Sequence, residues 1–385
     1  MVAVTMISSS LRDRLLGWRD SILSNPRFQR FAAVFPLTRR VARRRAAAMF
    51  DLVAGFVYSQ ILLACVQLRL FDLLAERPAS VDELATRLSL PRESMQMLLD
   101  GATALKLVQP RSQGRYGLGQ LGAELCGNQG VLALVEHHAM LYRDLADPLA
   151  LLRGPRGGGE LAAYWAYVRG ERPADLGSEQ VSSYTALMAA SQPMIAREVL
   201  HAFSFRAHRC LLDVGGGDGS FLSAVAAQNP ELRCILFDLP AVAEKAAERF
   251  RVTGLADRAT AVGGSFRTDR LPEGADIVSL VRVIHDHDDE VVAELLDAVH
   301  NALPDQGKLL IAEPIAGLPG TESISDAYFA FYLRAMGTGK ARTFERLRDL
   351  LETAGFTQIE LHSVPMPLVA SVITAIKRSK CVNLA

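Results

Sequence analysis

Residues 211–221 read Leu-Leu-Asp-Val-Gly-Gly-Gly-Asp-Gly-Ser-Phe: an apolar run closed by an acid, a turn paved with glycine, and the opening of a helix. An apolar run that feeds such a turn belongs to a buried strand of an α/β sheet. Gly215, Gly217 and Gly219 omit side chains that would block a ligand pressed against the turn. Backbone N–H groups and the positive end of the following helix can then approach an anionic group. The next apolar run, Cys234–Phe237, ends in Asp238, 19 residues beyond Gly219, the spacing at which an acid grips ribose hydroxyls. A nucleotide-like cofactor is expected there.

A dinucleotide fingerprint needs glycine at 215, 217 and 220, and position 220 is Ser; the run is instead Asp-x-Gly-x-Gly-x-Gly from Asp213. That spacing is similar to the S-adenosylmethionine site of class I methyltransferases. S-adenosylmethionine has no pyrophosphate, so the turn would meet a carboxylate and an ammonium, with Asp213 or Asp218 near the cation. A plain strand-to-helix turn is the competing reading, and the acid-ended second strand counts against it.

The 385 residues allow two domains or more. Their net charge of zero implies no bulk attraction to nucleic acid. The charge is unevenly placed, however: within residues 1–45 ten arginines stand against Asp13 and Asp20. Cys65, Cys126, Cys210, Cys234 and Cys381 form no C-x-x-C pair, which suits a reducing, cytoplasmic compartment and argues against a structural zinc. No uninterrupted apolar run reaches spanning length, and no small-residue cleavage site follows an apolar stretch, so neither a membrane span nor a signal peptide is expected.

Four regions follow from the patterning: an arm (1–45), a helical domain (46–126), a helical linker with pocket residues (127–205) and a cofactor domain (206–385). In the arm, Leu11, Leu15, Trp18 and Ile22 share one helix face opposite Arg12, Arg14 and Arg19. Phe28, Phe31 and Phe35 follow, then the cluster Arg39 to Arg45. Such a helix suits either an anionic membrane surface or a partner subunit.

The next region predicts helices over 50–70, 80–88 and 91–105, then a hairpin pairing 107–109 with 115–118. This is a winged-helix arrangement, but residues 92–100 carry one arginine against two acids, too few cations for independent DNA affinity. Tyr142, Tyr164, Trp165, Tyr167 and Tyr184, with Met140, Met188 and Met194, are candidates for an apolar substrate chamber or for ordinary core. Beyond residue 206, strands at 210–214, 234–238, 259–263, 276–282, 308–312, 357–363 and 371–377 alternate with helices. That pattern gives a doubly wound, mostly parallel sheet with ligands at the carboxyl ends of its strands.

The fourth of these strands delivers His285-Asp286-His287-Asp288-Asp289-Glu290 at its carboxyl end. A histidine of ordinary pKa about 6.5 is poised to take a proton. Glu313, closing the next strand, is expected beside His285, holding its second ring nitrogen and fixing the tautomer. A metal at this run is the weaker reading, since acids at a helix start also stabilise the helix dipole, and none is expected.

Residues 211–221, 234–240, 262–266, 281–290, 308–314 and 336–356 together resemble the plant-type small-molecule O-methyltransferase family. The resemblance implies an α/β, Rossmann-like S-adenosylmethionine domain behind a mainly helical winged-helix dimerisation domain, and hence a homodimer. It places the general base of a His-Asp-Trp-x-Asp element on His285, the flanking acid on Glu313, the first-motif glycine on Gly215 and the ribose acid on Asp238. Gly264, Ser265, Phe266 and Arg282 join Asp213, Gly217 and Gly219 in the expected cofactor set. Three departures stand out: His287 replaces the tryptophan, Gly264-Ser265-Phe266 replaces Asp-Met-Phe, and Ala341 replaces a second acid beside the base. The last leaves Glu313 alone in the role of holding an imidazolium.

Trp18-Arg19-Asp20, Asn25-Pro26-Arg27-Phe28-Gln29-Arg30-Phe31, Phe35-Pro36-Leu37-Thr38-Arg39 and residues 50–60 are similar to one bacterial branch, the 1-hydroxycarotenoid (demethylspheroidene or hydroxyneurosporene) O-methyltransferases of purple phototrophs. The resemblance implies methylation of a tertiary hydroxyl on an acyclic carotenoid, at or near the inner photosynthetic membrane. Tyr328, Phe329, Phe331, Tyr332 and Met336 are candidates for the walls of an elongated tunnel or for ordinary core. A bacteriochlorophyll, phenol or polyketide acceptor on the same scaffold is the alternative, and a winged-helix regulator the remote one.

Overall fold

The computed structural model describes residues 2–165 and 178–378. The chain divides into two compact units, Met1–Cys126 and Gly127–Ala385.

The first unit opens with helices Val2–Ser24, Pro26–Val34 and Arg39–Gln67. Asn25 stops one helix and starts the next: its side chain accepts from the Arg27 N–H at 2.8 Å, and Pro26 supplies the fixed φ of a first helical residue. Helix Arg39–Gln67 begins well before the expected residue 50 and runs unbroken across residue 45, so the arm enters the helical domain without a joint. Its last turns bury Leu63, Cys65 and Val66, while Met49, Phe50, Leu52, Val53 and Phe56 remain 63–80% exposed. Among the described residues this helix alone is long and apolar enough, by length and composition, to cross a membrane. The sequence expectation of no span counted only uninterrupted apolar residues, and Asp51 interrupts this one.

The Ser80–Glu83 capping box forms as expected, with Glu83 Oε2 accepting from the Ser80 N–H at 2.7 Å and Ser80 Oγ accepting from the Glu83 N–H at 3.2 Å. Strands β1 (Ala79–Ser80), β2 (Val108–Pro110) and β3 (Arg115–Leu118) make an antiparallel sheet in the order β1-β3-β2, the wing beside helix Arg92–Ala104. The one arginine of that helix, Arg92, donates to Asp82 at 2.8 Å, which leaves it no free cation for phosphate.

The second unit is built on a seven-stranded sheet: β4 (Cys210–Val214), β5 (Arg233–Asp238), β6 (Ala259–Gly263), β7 (Ile277–Val281), β8 (Lys308–Glu313), β9 (Phe356–His362) and β10 (Ser371–Lys377). Their order is β6-β5-β4-β7-β8-β10-β9; the first five pair in parallel, and β10 runs antiparallel to both β8 and β9. Successive residues face opposite sides, so Leu211, Leu310 and Val372 pack with helices Ser178–Ala202, Ser220–Gln228 and Pro240–Val252. Leu212, Ile311 and Ile373 pack with Asp289–Ala302 and Phe344–Thr353. The central strands β4, β7 and β8 are covered on both faces and are apolar along most of their length, whereas the edge strand β9 mixes buried and more exposed residues. The strand order reverses between β4 and β7, where an open α/β sheet leaves a crevice beyond the carboxyl ends.

Candidate active site

Gly215, Gly217 and Gly219 adopt φ of 70°, 60° and 78°, the left-handed region that glycine reaches without strain. A Cβ on Gly215 would lie 2.7 Å from Val283 Cγ2, and one on Gly219 2.7 Å from the Phe250 ring. At Gly217 nothing lies within 4 Å of that position: the turn is packed at its two ends and open at its middle. Asp238 closes β5 and its carboxylate accepts from the Gly217 N–H and the Leu239 N–H at 2.8 and 2.7 Å. Burial raises its pKa to about 6 against those two bonds.

Asp213 is fully buried and accepts from Ser279 Oγ at 2.6 Å through Oδ1, while Oδ2 has no partner among the described residues. Burial, only partly offset by the Ser279 bond, pushes its pKa up to about 7. An unpaired buried carboxylate oxygen is costly unless a ligand or water completes it. Asp218, the other acid considered for a cationic group, pairs instead with the Arg249 guanidinium and accepts from the Ser220 Oγ–H at 2.6 Å. Of the two, Asp213 has the free oxygen.

Gly264 donates its N–H to the Asp238 carbonyl at 2.9 Å, Ser265 is anchored by donating to Asp269 at 2.8 Å, and the Phe266 ring meets His287 edge-on at 5.3 Å. Burial holds the His287 pKa down to about 4, a neutral ring at ordinary pH. Arg282, just past β7, has φ of 59° and donates to Ser191 Oγ and Met188 Sδ, both at 2.7 Å. A non-glycine residue in that region carries local backbone strain.

The strained step at Arg282 leads into a short turn, Ile284–Asp286. His285 Nδ1 contacts Glu313 Oε2, as expected, and Glu313 Oε1 accepts from the Val283 and Ile284 N–H groups at 2.9 and 2.7 Å. Glu313 is thereby fixed by the same turn that presents the histidine. On the opposite side of the ring, Nε2 lies 3.1 Å from Asp286 Oδ1. The expectation that Ala341 leaves Glu313 as the one acid beside His285 is therefore wrong: the second carboxylate is the histidine's own neighbour. Burial alone would lower the His285 pKa, but the Asp286 and Glu313 carboxylates outweigh it and raise it above the ordinary value.

Arg342 lies in the stretch 336–356 that carries the family resemblance, but nothing in the sequence assigns it a role of its own. It is buried and donates to the Ile284 and His287 carbonyls at 3.0 and 2.8 Å and to Asp289 at 2.8 Å, tying the histidine turn to the start of helix Asp289–Ala302. Lys340 N–H donates to the His285 carbonyl at 2.9 Å and Thr338 Oγ to the Asp286 carbonyl at 2.9 Å, so the loop 336–343 seats directly on the turn.

Beside His285 stands an aromatic wall. Phe329 meets its ring at 5.7 Å, Tyr332 Oη lies 2.7 Å from His137 Nε2 and accepts from Trp165 Nε1–H at 2.9 Å, and Tyr328 Oη lies 2.8 Å from His138 Nε2. Of the pocket candidates, Trp165 joins a buried cluster with Tyr332 and Met336, against which Tyr164 and Met188 pack. Tyr167 and the Tyr184 side chain lie outside the described residues, as does Cys381. Among the described residues no group of His, Cys, Asp and Glu is arranged to hold a metal ion.

An O-methyltransferase domain model matches residues 142–357, and an O-methyltransferase dimerisation domain model matches residues 50–127. The chain belongs to the O-methyltransferase family. Among the relatives of this O-methyltransferase, a demethylspheroidene O-methyltransferase of Cereibacter sphaeroides is 45% identical over 371 residues, 96% of each chain. A second, from Rhodobacter capsulatus, is 43% identical over 90% of this chain and 87% of that protein. The structure of human N-acetylserotonin methyltransferase in complex with SAM superposes with a TM-score of 0.72 at 23% identity, covering 87% of this chain and 98% of that one. It shows the shared fold.

Proposed function

We propose that this O-methyltransferase moves the methyl group of S-adenosylmethionine onto the tertiary hydroxyl of an acyclic 1-hydroxycarotenoid. The observation that carries the reaction is His285 clamped between acids at the carboxyl end of the sheet, beside a glycine turn that leaves room for a nucleoside. The acceptor rests on relatives that match the chain over nearly its whole length, arm included.

The residues present fit the cofactor. Asp213 Oδ2, buried and unpaired, suits an ammonium; Asp238 keeps lone pairs for ribose hydroxyls; Gly215, Gly217 and Gly219 admit the backbone approach. Gly264, Ser265, Phe266 and His287 suit the flat faces of a purine, and Arg282 suits a carboxylate. When bound, the cofactor supplies an electrophilic methyl on a sulfonium. A tertiary alcohol is far too weak an acid to bind as an alkoxide, so His285 takes the hydroxyl proton as the new O–C bond forms, and Glu313 keeps the ring oriented. The aromatic wall of Tyr328, Phe329 and Tyr332 suits a polyene and excludes water from the reacting centre.

The exposed apolar face at Met49, Phe50, Leu52, Val53 and Phe56 is the seat of a second copy of this chain, since it opens the dimerisation domain. The arm ahead of it carries exposed Leu11, Leu15, Trp18, Phe31 and Phe35 among its arginines, and serves to hold the enzyme on an anionic membrane where a carotenoid resides. Removing residues 1–38 is expected to abolish co-sedimentation with vesicles containing anionic lipid, while the dimer and cofactor binding persist. Undiminished sedimentation would refute the membrane role of the arm. Loss of the dimer would assign the arm to the partner subunit.

A further inference from the structure

We propose that Asp286 and His285 act as one proton-holding pair, with the proton taken from the acceptor hydroxyl shared between Nε2 and the Asp286 carboxylate rather than resting on the imidazole alone. The inference builds on His285 as the base. Its ground is geometric: Asp286 is 5% exposed, its Oδ1 lies 3.1 Å from Nε2, and Nε2 is the ring nitrogen left free once Nδ1 is committed to Glu313.

The backbone enforces this arrangement. Both carbonyls of the pair are engaged, His285 by the Lys340 N–H and Asp286 by Thr338 Oγ, and Gly339 sits so close to the His285 carbonyl that a Cβ there would collide with it. Arg342 fixes the carbonyls on either side. With the turn held at four points, the two side chains are aimed at each other. Other groups facing the pair are few. Arg282 from the end of β7 and Glu313 from β8 act on both residues, the neutral His287 follows in the turn, and Tyr332 faces Asp286 from helix Phe329–Met336. Among these, Glu313 is the further anion and Arg282 the one cation. Burial and Glu313 push the Asp286 pKa up to about 6 against the attraction of His285, and two groups this near each other titrate as a coupled pair.

The step balances without a further reactant. The acceptor O–H bond breaks and its proton enters the pair; the oxygen lone pair forms the O–C bond; the C–S bond breaks and its electrons neutralise the sulfonium. In the reactive form the ring is neutral, with its one proton on Nδ1 facing Glu313 and the Nε2 lone pair open. After it, the ring is an imidazolium whose new Nε2 proton lies between the ring and the Asp286 carboxylate, and it leaves once the product has gone.

The test is nitrogen NMR of the His285 ring in the full-length, cofactor-free protein, with His285→Gln to assign the signal. The wild-type ring is expected to titrate above the ordinary imidazole value, and a titration at or below that value would overturn the proposal. In Asp286→Asn the imidazolium loses one carboxylate, so its titration should fall by about 1 to 3 pH units. The acid limb of kcat/KM should move down with it. An unshifted titration with a uniform loss of rate would reduce Asp286 to a structural part. Because the NMR needs no acceptor, failure of the carotenoid assignment leaves this result standing. A normal shift in an inactive protein would point to the acceptor instead.

Discussion

Replacing His285 by Ala is expected to lower kcat for methyl transfer by about 100- to 10,000-fold, the range ascribed to a positioned acid–base group. Affinity for S-adenosylhomocysteine, measured by calorimetry, should stay within a few-fold of the wild type. The two effects separate because the cofactor residues lie on different elements from the base. Gly215 to Gly219 follow β4 and Asp238 ends β5, whereas His285 sits on the turn after β7. Glu313 remains bonded to the Val283 and Ile284 N–H groups in the variant, so the turn keeps its shape. A variant that retains wild-type kcat would remove His285 from the chemistry. A variant that loses cofactor affinity equally would mean that the turn collapses without its ring.

Replacing Arg342 by Ala should cost about 3 kcal/mol of stability at pH 7, near the lower end for breaking a buried ion pair. Arg342 is 4% exposed, and its removal strands the His287 carbonyl and leaves the Ile284 carbonyl with the His287 N–H alone. The low end applies because Asp289 keeps Arg346 at 2.8 Å and Lys340 at 3.6 Å. Lys at this position supplies the charge without the planar fork, and recovers little. The pH dependence has a defined sign. Burial opposes ionisation of Asp289, but Arg346 and Arg342 outweigh it and depress its pKa from 3.8 to about 2. A depressed folded-state pKa contributes stability that is present above 3.8 and lost as pH falls toward 2. The gap between wild type and Arg342→Ala, read from denaturant midpoints, should therefore narrow across that window. A gap that stays constant to pH 2 would show that the lost carbonyl bonds, not the ion pair, carry the effect.

The parts legible in the sequence were those with a local cause. Short runs rich in apolar and β-branched residues, spaced between helical segments, located β4, β6 and β10 to the residue. The Ser80 capping box and the glycine turn are equally local. What stayed hidden depended on a turn that periodicity does not encode. Neighbours at i and i+1 rarely meet, and Asp286 reaches His285 because Arg282 takes a left-handed step and the chain then tightens into a short turn. Arg342 gave no signal for a related reason: its partners include backbone carbonyls more than fifty residues away, invisible in side-chain chemistry. The arginine cluster at 39–45 read as the end of an arm and proved to be the first turns of a 29-residue helix, since arginine is a good helix former and nothing breaks the chain before Gln67.

The central claim is tested most directly by incubating the purified enzyme with methyl-labelled S-adenosylmethionine and a 1-hydroxy acyclic carotenoid in detergent, then separating the pigments. Label recovered in a methyl ether of the carotenoid is the expected result. Unlabelled pigment from a protein that binds S-adenosylhomocysteine normally, with label passing instead to a phenol or porphyrin, would contradict the acceptor while leaving the fold and cofactor site intact.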